Sequence, residues 1–356
     1  MVQKRARDFG IRVGTLPTGP YDKITDVPGV TVGHCTVDTG RHKTGATVVM
    51  PCKENPFTHK LPAAAFVWNG FGKTAGLIQV EELGRLESPI ALTNTLNVGK
   101  VHDALVAYLL ERCRTEAVPL TSVNPVVCEC NDSTLNDIAE RVVGEKEVLE
   151  AISRACIDFP EGDVGGGTGM ICHDLKGGIG SASRQLLFDG KTYTVGVLVQ
   201  TNHGCLKDLT VSGRLIGPQL AQRVSAGDPD QGSCIAVLAT DLPLDSRQLG
   251  RTARRMAVGL ARLGSYVGHG SGEVFLAFST ANPYLSAEKA AVYSAAAFRE
   301  DEMDPVFRAA AECAEEAVLN SMFAARTVTS WKGKTIYSLT DLWNPQWSPT
   351  TGPAET

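Results

Sequence analysis

Glycine constrains this chain more than any other residue. It supplies 36 of the 356 positions, and two dense runs stand out: Gly162-Asp163-Val164-Gly165-Gly166-Gly167-Thr168-Gly169 and Lys176-Gly177-Gly178-Ile179-Gly180. A residue without Cβ allows backbone to approach backbone and turns to close tightly, and it weakens helix interiors. The chain therefore reads as one of many tight turns and close contacts, not as a helical bundle. Hydrophobic residues at 43% and charged residues at 21% place it among globular proteins, with enough length for a large core.

The elements follow from periodicity and punctuation. Residues 8–20 read as an irregular arm. A strand pair is expected over Ile24 to Val37 with a turn at Pro28-Gly29, then strands at Ala46 to Met50 and Ala63 to Trp68. Asn69-Gly70-Phe71-Gly72 reads as a turn opening a helix through about Leu83. Pro89 to Thr93 and Pro125 to Cys128 are short buried strands. Val98 to Arg112 and residues 135–157 have helical spacing. Residues 179–188 and 193–201 form a hairpin over Asp189-Gly190. Residues 205–232 read as an exposed linker. The run Ile235 to Thr240 is a strand, Ser246 is placed to cap a helix to about Leu263, and Val274 to Phe278 is a strand. Helices are expected near 286–298 and 304–325, with the tail from Trp331 folding back. Strands cluster without regular βαβ alternation, so the class is α+β, with helices layered on a mixed or antiparallel sheet system.

Several functions have no footprint. The formal charge is −5 with no long basic run, which argues against nucleic acid as a partner. No run of about 18 apolar residues is present, so no membrane partner is expected. The charged start Met1-Val2-Gln3-Lys4-Arg5 shows no signal peptide, which points to the cytoplasm and to ten reduced cysteines. The cysteines lack CxxC spacing and the seven histidines lack HExxH or HxxxH spacing, so no metal is expected. No GxxxxGK[ST] motif occurs, and the 162–169 run reads as a backbone turn near an active site.

Four stretches carry possible chemistry. In Asp228-Pro229-Asp230-Gln231-Gly232-Ser233-Cys234 a polar segment stops at a Gly-Ser pair where a β-branched strand begins. Ser233 is either an ordinary strand-start residue or a nucleophile within a precursor, whose α-amine cleavage at Gly232–Ser233 would free to act as base. Cys234 would replace it only if cleavage fell one residue later. In Gly270-Ser271-Gly272-Glu273, period-two geometry puts Ser271 and Glu273 on one face, suited to orienting an amine or hydroxyl; a turn with a solvated Glu is the plainer reading. Asn202 ends a strand and can donate to an oxyanion or simply close a turn. Glu129 follows a core strand and can bind an ammonium group or remain solvated.

Taken in order, these stretches resemble the DmpA-type aminopeptidases, also called β-peptidyl aminopeptidases, which are self-cleaving and similar in mechanism to N-terminal-nucleophile hydrolases. The resemblance also rests on Ile24-Thr25-Asp26-Val27-Pro28-Gly29, Leu92-Thr93-Asn94-Thr95, Thr201-Asn202-His203-Gly204, Ala239-Thr240-Asp241 and Phe278-Ser279-Thr280-Ala281-Asn282. It implies an αββα sandwich in one self-processing domain over 1–356, cut into an α-chain of 1–232 and a β-chain of 233–356. Ser233 would be the nucleophile, Ser271 and Glu273 would polarise and orient it, and Asn202 would help form the oxyanion hole. Glu129 would hold the substrate's free amine. The resemblance further implies small peptide, amide or ester substrates, no cofactor, and a homotetramer of cleaved protomers. One position departs: the family usually has an aromatic residue two after the glutamate, where this chain has Asn131. An ornithine acetyltransferase-like acyltransferase shares the architecture but uses threonine at the cleavage point. A non-catalytic oligomeric binding protein of the same fold is the other alternative.

Overall fold

The Asp189-Gly190 turn sets the register of the larger sheet. Both residues have positive φ, +50° and +77°, the combination that a two-residue hairpin of the favoured twist requires. It joins strands Ile179–Phe188 and Lys191–Asn202. The computed structural model describes residues 3–224 and 232–348. The hairpin's second strand pairs antiparallel with Ser233–Thr240, which runs parallel to Gly272–Ser279, which in turn pairs antiparallel with His59–Gly70. Arg85–Leu86 and Tyr284–Leu285 complete a seven-stranded sheet. A second sheet of four strands runs in the order Thr31–Asp38, Lys43–Met50, Ile90–Asn94, Val126–Cys130.

Period-two alternation turns these sheets into layers. In Ser233–Thr240, Ala236 and Leu238 enter one buried cluster while Ile235, Val237 and Ala239 enter another. The first cluster lies against helices Ser246–Arg262 and Met303–Phe323, through Met256, Leu260, Ala310 and Ala314. The second lies between the two sheets, where Leu92, Val126 and Cys128 meet Leu276 and Phe278. A third cluster joins Val48, Ala91 and Val127 to Val101 and Leu105 of helix Val98–Thr115 and to Val148 of helix Glu145–Ser153. Helix layer, sheet, sheet, helix layer is the αββα sandwich. Every residue of Ser233–Thr240 is buried, so one strand anchors two of the three interfaces. Each large apolar side chain buried there contributes about 1.5–3 kcal/mol.

The N-terminal arm is fastened by charge. Fully buried Arg184 donates to Glu312 at 3.0 Å, Glu316 at 2.5 Å and the Val13 carbonyl at 2.7 Å. Gly14 sits at φ +68°, and a Cβ there would lie 1.9 Å from Glu312 Cδ, so only glycine lets the arm cross.

Six sequence expectations change. Residues 24–26 form a short 3-10 turn, and the first strand is Thr31–Asp38, paired with Lys43–Met50. The strand His59–Gly70 runs through the Asn69-Gly70 signal, and the helix waits until Leu77–Leu83. Of residues 135–157 only Glu145–Ser153 is α-helical, because the Asp132 carbonyl turns the backbone at Leu135 and Asn136, and Arg141 is left-handed at φ +49°. Residues 286–298 form no helix: they are exposed almost throughout, and good propensity without a buried face does not hold one. The expected linker is packed over its first part, where Leu206, Leu209, Val211, Ile216 and Leu220 are fully or almost fully buried. Its apolar residues are spread among polar ones, which hid them; residues 225–231 lie outside the described residues. Asp245, not Ser246, caps the Ser246–Arg262 helix, its carboxylate accepting from Gln248 N–H at 2.7 Å. The tail folds back as expected, with Trp343 against Phe9 and Phe323.

Candidate active site

Ser233 opens its strand between two neighbours. The register pairs it with Asn202 on the antiparallel side and with Gly272 on the parallel side, so Ser271 and Glu273 flank its partner along the adjacent strand. Neighbouring strands lie about 4.8 Å apart. Three segments remote in sequence thus come together at one sheet position because three strands begin or end there.

The peptide before Ser233 is held tightly. Gly272 N–H donates to the Gly232 carbonyl at 3.0 Å. A Cβ on Gly232 would lie 1.8 Å from the Asn202 carbonyl oxygen and 2.6 Å from His203 Cα. Both obstacles are backbone, so the position admits glycine alone.

Ser271 and Glu273 are fully buried, and the Ser271 hydroxyl donates to Glu273 Oε1. Their loop is fastened from the next strand: Asn69 Nδ2 reaches the carbonyls of Gly268 at 3.0 Å, His269 at 3.2 Å and also Ser271. Asn202 has a fixed amide. Its Oδ1 accepts from Ile171 N–H at 2.9 Å and its Nδ2 donates to the Asn131 carbonyl at 3.1 Å. Neither partner can reverse roles, so the amide orientation is determined.

Glu129 is 2% exposed at the end of Val126–Cys130. Its Oε1 accepts from Lys73 N–H at 2.9 Å and its Oε2 from the Thr95 hydroxyl. These use two of the roughly four lone-pair positions a carboxylate offers. Cys130 connects this end to Ser233, since its thiol contacts the Ser233 carbonyl at 3.6 Å. Burial first, and then the carboxylates of Glu129 and Glu273, push that thiol well above the ordinary cysteine range. Both acids therefore bear on one residue that touches Ser233.

Sequence reasoning missed Asn69, Thr95, Cys130 and the backbone N–H groups of Lys73 and Gly272. Asn69 reads from sequence as a turn residue, and Thr95 as part of a motif without a role. Backbone donors leave no mark in a side-chain pattern. The 162–169 run is a buried turn, with a short 3-10 turn at Gly165–Gly167. It presents no anion cradle: the Lys176 ammonium donates to the carbonyls of Gly167, Met170 and Gly177 at 3.1, 2.8 and 2.7 Å. Burial lowers this amine to about 7. Spacing rules gave no metal-ligand set, yet the fold gathers buried Cys172, His173 and His203 with donor atoms within 4.8 Å of one another.

Comparison with known proteins places this arrangement. The sequence model of peptidase family S58 matches residues 22–336. The β-peptidyl aminopeptidase BapA of Sphingosinicella microcystinivorans is 39% identical over 94% of this chain and 89% of its own. The crystal structure of the PH0078 protein from Pyrococcus horikoshii OT3 superposes with a TM-score of 0.90 at 45% identity, covering 95% of this chain and 97% of that one. The L-aminopeptidase D-Ala-esterase/amidase of Ochrobactrum anthropi is described as a prototype of the serine aminopeptidases and a variant of the Ntn-hydrolase fold. It superposes with a TM-score of 0.88 at 35% identity over 96% of both chains. Fold and relatives together define a serine aminopeptidase built on the N-terminal-nucleophile hydrolase architecture. The chain belongs to peptidase family S58, the DmpA family. No helix among the described residues is long and apolar enough to cross a membrane.

Proposed function

We propose that this chain is a precursor that cuts itself at Gly232–Ser233 and then removes N-terminal residues from small peptides, amides or esters with a free amine. The observation that carries this reading is the Gly232–Ser233 peptide, with Ser233 paired between Asn202 on one strand and Gly272 on the other, and with Ser271 and Glu273 immediately before and after Gly272. In the processing step the Ser233 hydroxyl oxygen bonds to the Gly232 carbonyl carbon. The C–N bond breaks, and the hydroxyl proton passes to the departing amine. Water then hydrolyses the resulting ester, leaving a Gly232 carboxylate and a free Ser233 amine. Gly272 N–H, 3.0 Å from the Gly232 oxygen, is placed to stabilise charge as it develops there. Glycine at 232 also leaves the carbonyl unshielded.

Turnover reuses the same groups. The new amine, with an ordinary pKa of about 7.7–8.0, serves as base for the Ser233 hydroxyl. Glu273 acting alone would raise that value, and the Ser271 hydroxyl together with desolvation opposes the rise. The second Nδ2 hydrogen of Asn202 stabilises the oxyanion of the tetrahedral intermediate, worth about 3–4 kcal/mol. Glu129 receives the substrate ammonium, which limits cleavage to the first peptide bond. The protomers work as a homotetramer of cleaved chains.

Intact mass under denaturing conditions, with N-terminal sequencing, tests the reading. Two chains of 232 and 124 residues, the second beginning Ser233-Cys234-Ile235, are expected, and Ser233→Ala should remain one chain of 37.9 kDa. Two chains from Ser233→Ala would misplace the processing site. Release of p-nitroaniline from alanine and β-alanine p-nitroanilides, with no acetyl transfer to ornithine, separates the aminopeptidase from an acyltransferase.

A further inference from the structure

Outside the groups used above, the fold brings two imidazoles and a thiol together in its interior. Cys172 ends the short strand Ile171–Cys172, His173 opens the turn that leads to Leu175–Lys176, and His203 follows Asn202 at the end of a long strand. Backbone joins the two segments, with His173 N–H donating to the His203 carbonyl at 2.8 Å. All three side chains are buried, their donor atoms lie within 4.8 Å of one another, and the two rings meet edge to face at 5.7 Å.

The backbone is shaped to seat the His173 ring here. His173 and Asp174 are both left-handed, at φ +48° and +57°, a conformation that costs about 1–2 kcal/mol per residue outside glycine. Gly204 sits at φ +87°, and a Cβ on it would lie 2.5 Å from His173 Cε1, so the ring has space only because residue 204 is glycine. His173 Nδ1 lies 2.9 Å from the Cys205 carbonyl. A carbonyl can only accept, so Nδ1 carries the hydrogen and the neutral ring's lone pair is on Nε2. Metal-binding histidines are commonly held this way, with the second nitrogen fixed on a carbonyl or carboxylate.

We propose that Cys172, His173 and His203 form a binding site for a thiophilic divalent ion, with Zn²⁺ and Co²⁺ as its probes. One thiolate and two imidazoles give a soft set with a fourth position for water or another donor. Bonds of about 2.0–2.3 Å in tetrahedral geometry need donors about 3.3–3.8 Å apart, so side-chain rotations of about 1 Å close the cluster on an ion. The ion clips the 171–176 turn to the strand end that carries Asn202. No proteolytic step is routed through it.

The test uses the full chain with Ser233→Ala, so that processing does not vary. After chelator treatment it is titrated with Co²⁺ and then with Zn²⁺. We expect one Co²⁺ per chain, a thiolate-to-cobalt charge-transfer band, its displacement by Zn²⁺, and a rise in Tm. Adding Cys172→Ser should abolish the band, and adding His203→Gln should weaken binding at least about tenfold, the loss of one ligand bond. Adding Cys156→Ser, which removes the exposed thiol, should change nothing. Absence of the band, its persistence with Cys172→Ser, or its loss with Cys156→Ser overturns the proposal. Should Cys172→Ser fail to fold, alkylation of the unsubstituted cysteine decides. Zn²⁺ must slow labelling of the Cys172 peptide, and equal labelling with and without Zn²⁺ overturns the site.

Discussion

Replacing Glu129 by Gln tests whether the proposed substrate recognition is separate from the proposed self-cleavage. The carboxylate is 2% exposed and already accepts from Lys73 N–H at 2.9 Å and from the Thr95 hydroxyl. Glutamine keeps an oxygen for Lys73 and can donate its amide to Thr95, so the local fold survives while the charge is lost. Two unit charges 4 Å apart attract by about 4 kcal/mol at an effective dielectric of 20, and desolvation removes part of that. What remains is a charge-assisted hydrogen bond, about 1.5–3 kcal/mol. That corresponds to a loss in kcat/KM of about 10- to 150-fold at 1.4 kcal/mol per decade. The assay is kcat and KM on alanine p-nitroanilide, with intact mass followed in parallel. Internal cleavage at Gly232–Ser233 involves no substrate ammonium, so processing should proceed at the parent rate. If kcat/KM stays within about twofold of the parent, Glu129 does not bind the amine, and the reasoning from its burial and partners fails. If instead the variant stays uncut, Glu129 belongs to the processing machinery.

Three further outcomes are expected. Gly232→Ala drives a methyl into the Asn202 carbonyl, 1.8 Å away, at an overpacking cost of about 1–3 kcal/mol; processing followed by mass should slow by at least about tenfold, and unchanged kinetics would mean that this peptide moves before reacting. Asn202→Ala should lower kcat by about 10²–10³-fold with KM little changed, and a loss confined to KM would exclude an oxyanion role. His34, buried with its Nε2 on the Pro160 carbonyl at 3.1 Å, is lowered from 6.5 to about 4 by burial. The unfolded imidazole takes its proton first as pH falls through 6.5, so stability present above that pH drains away down to about 4, a stake of about 3 kcal/mol. Urea unfolding at pH 7 and pH 4.5 should show a smaller difference for His34→Gln than for the parent, and an equal difference would refute the assignment.

What the sequence disclosed depended on range. The strands at 235–240 and 274–278 were legible because each alternates between two apolar interfaces. The Asp189-Gly190 hairpin was legible because its turn chemistry is local. The pairing of Ser233 with both Asn202 and Gly272 was not, since register between strands remote in sequence is set by packing and not by neighbours. Glu129 was identifiable as a carboxylate at a strand end, but its two partners come from the loop at 73 and from the 3-10 turn Thr95–Asn97. The buried part of the 205–232 segment was misread because five scattered apolar residues looked incidental among polar ones. The Cys172, His173 and His203 cluster was invisible to spacing rules because a backbone hydrogen bond, not a sequence interval, brings its halves together.

Asn131 departs from the pattern that the resemblance implies without altering what holds Asn202. Its side chain is exposed, and its Oδ1 accepts from Ser133 N–H at 3.0 Å, closing a local turn. What it gives Asn202 is its backbone carbonyl, 3.1 Å from Nδ2, and a residue of any type supplies that group. An aromatic residue at this position would therefore hold Asn202 in the same way while presenting a larger apolar face to solvent beside Glu129. The orientation of the Asn202 amide is thus independent of the side chain at 131. Under the proposed role of Glu129, an aromatic side chain at 131 would bear instead on which substrate residue is accepted next to the ammonium, and comparing alanine and leucine p-nitroanilides between the parent and Asn131→Tyr tests this.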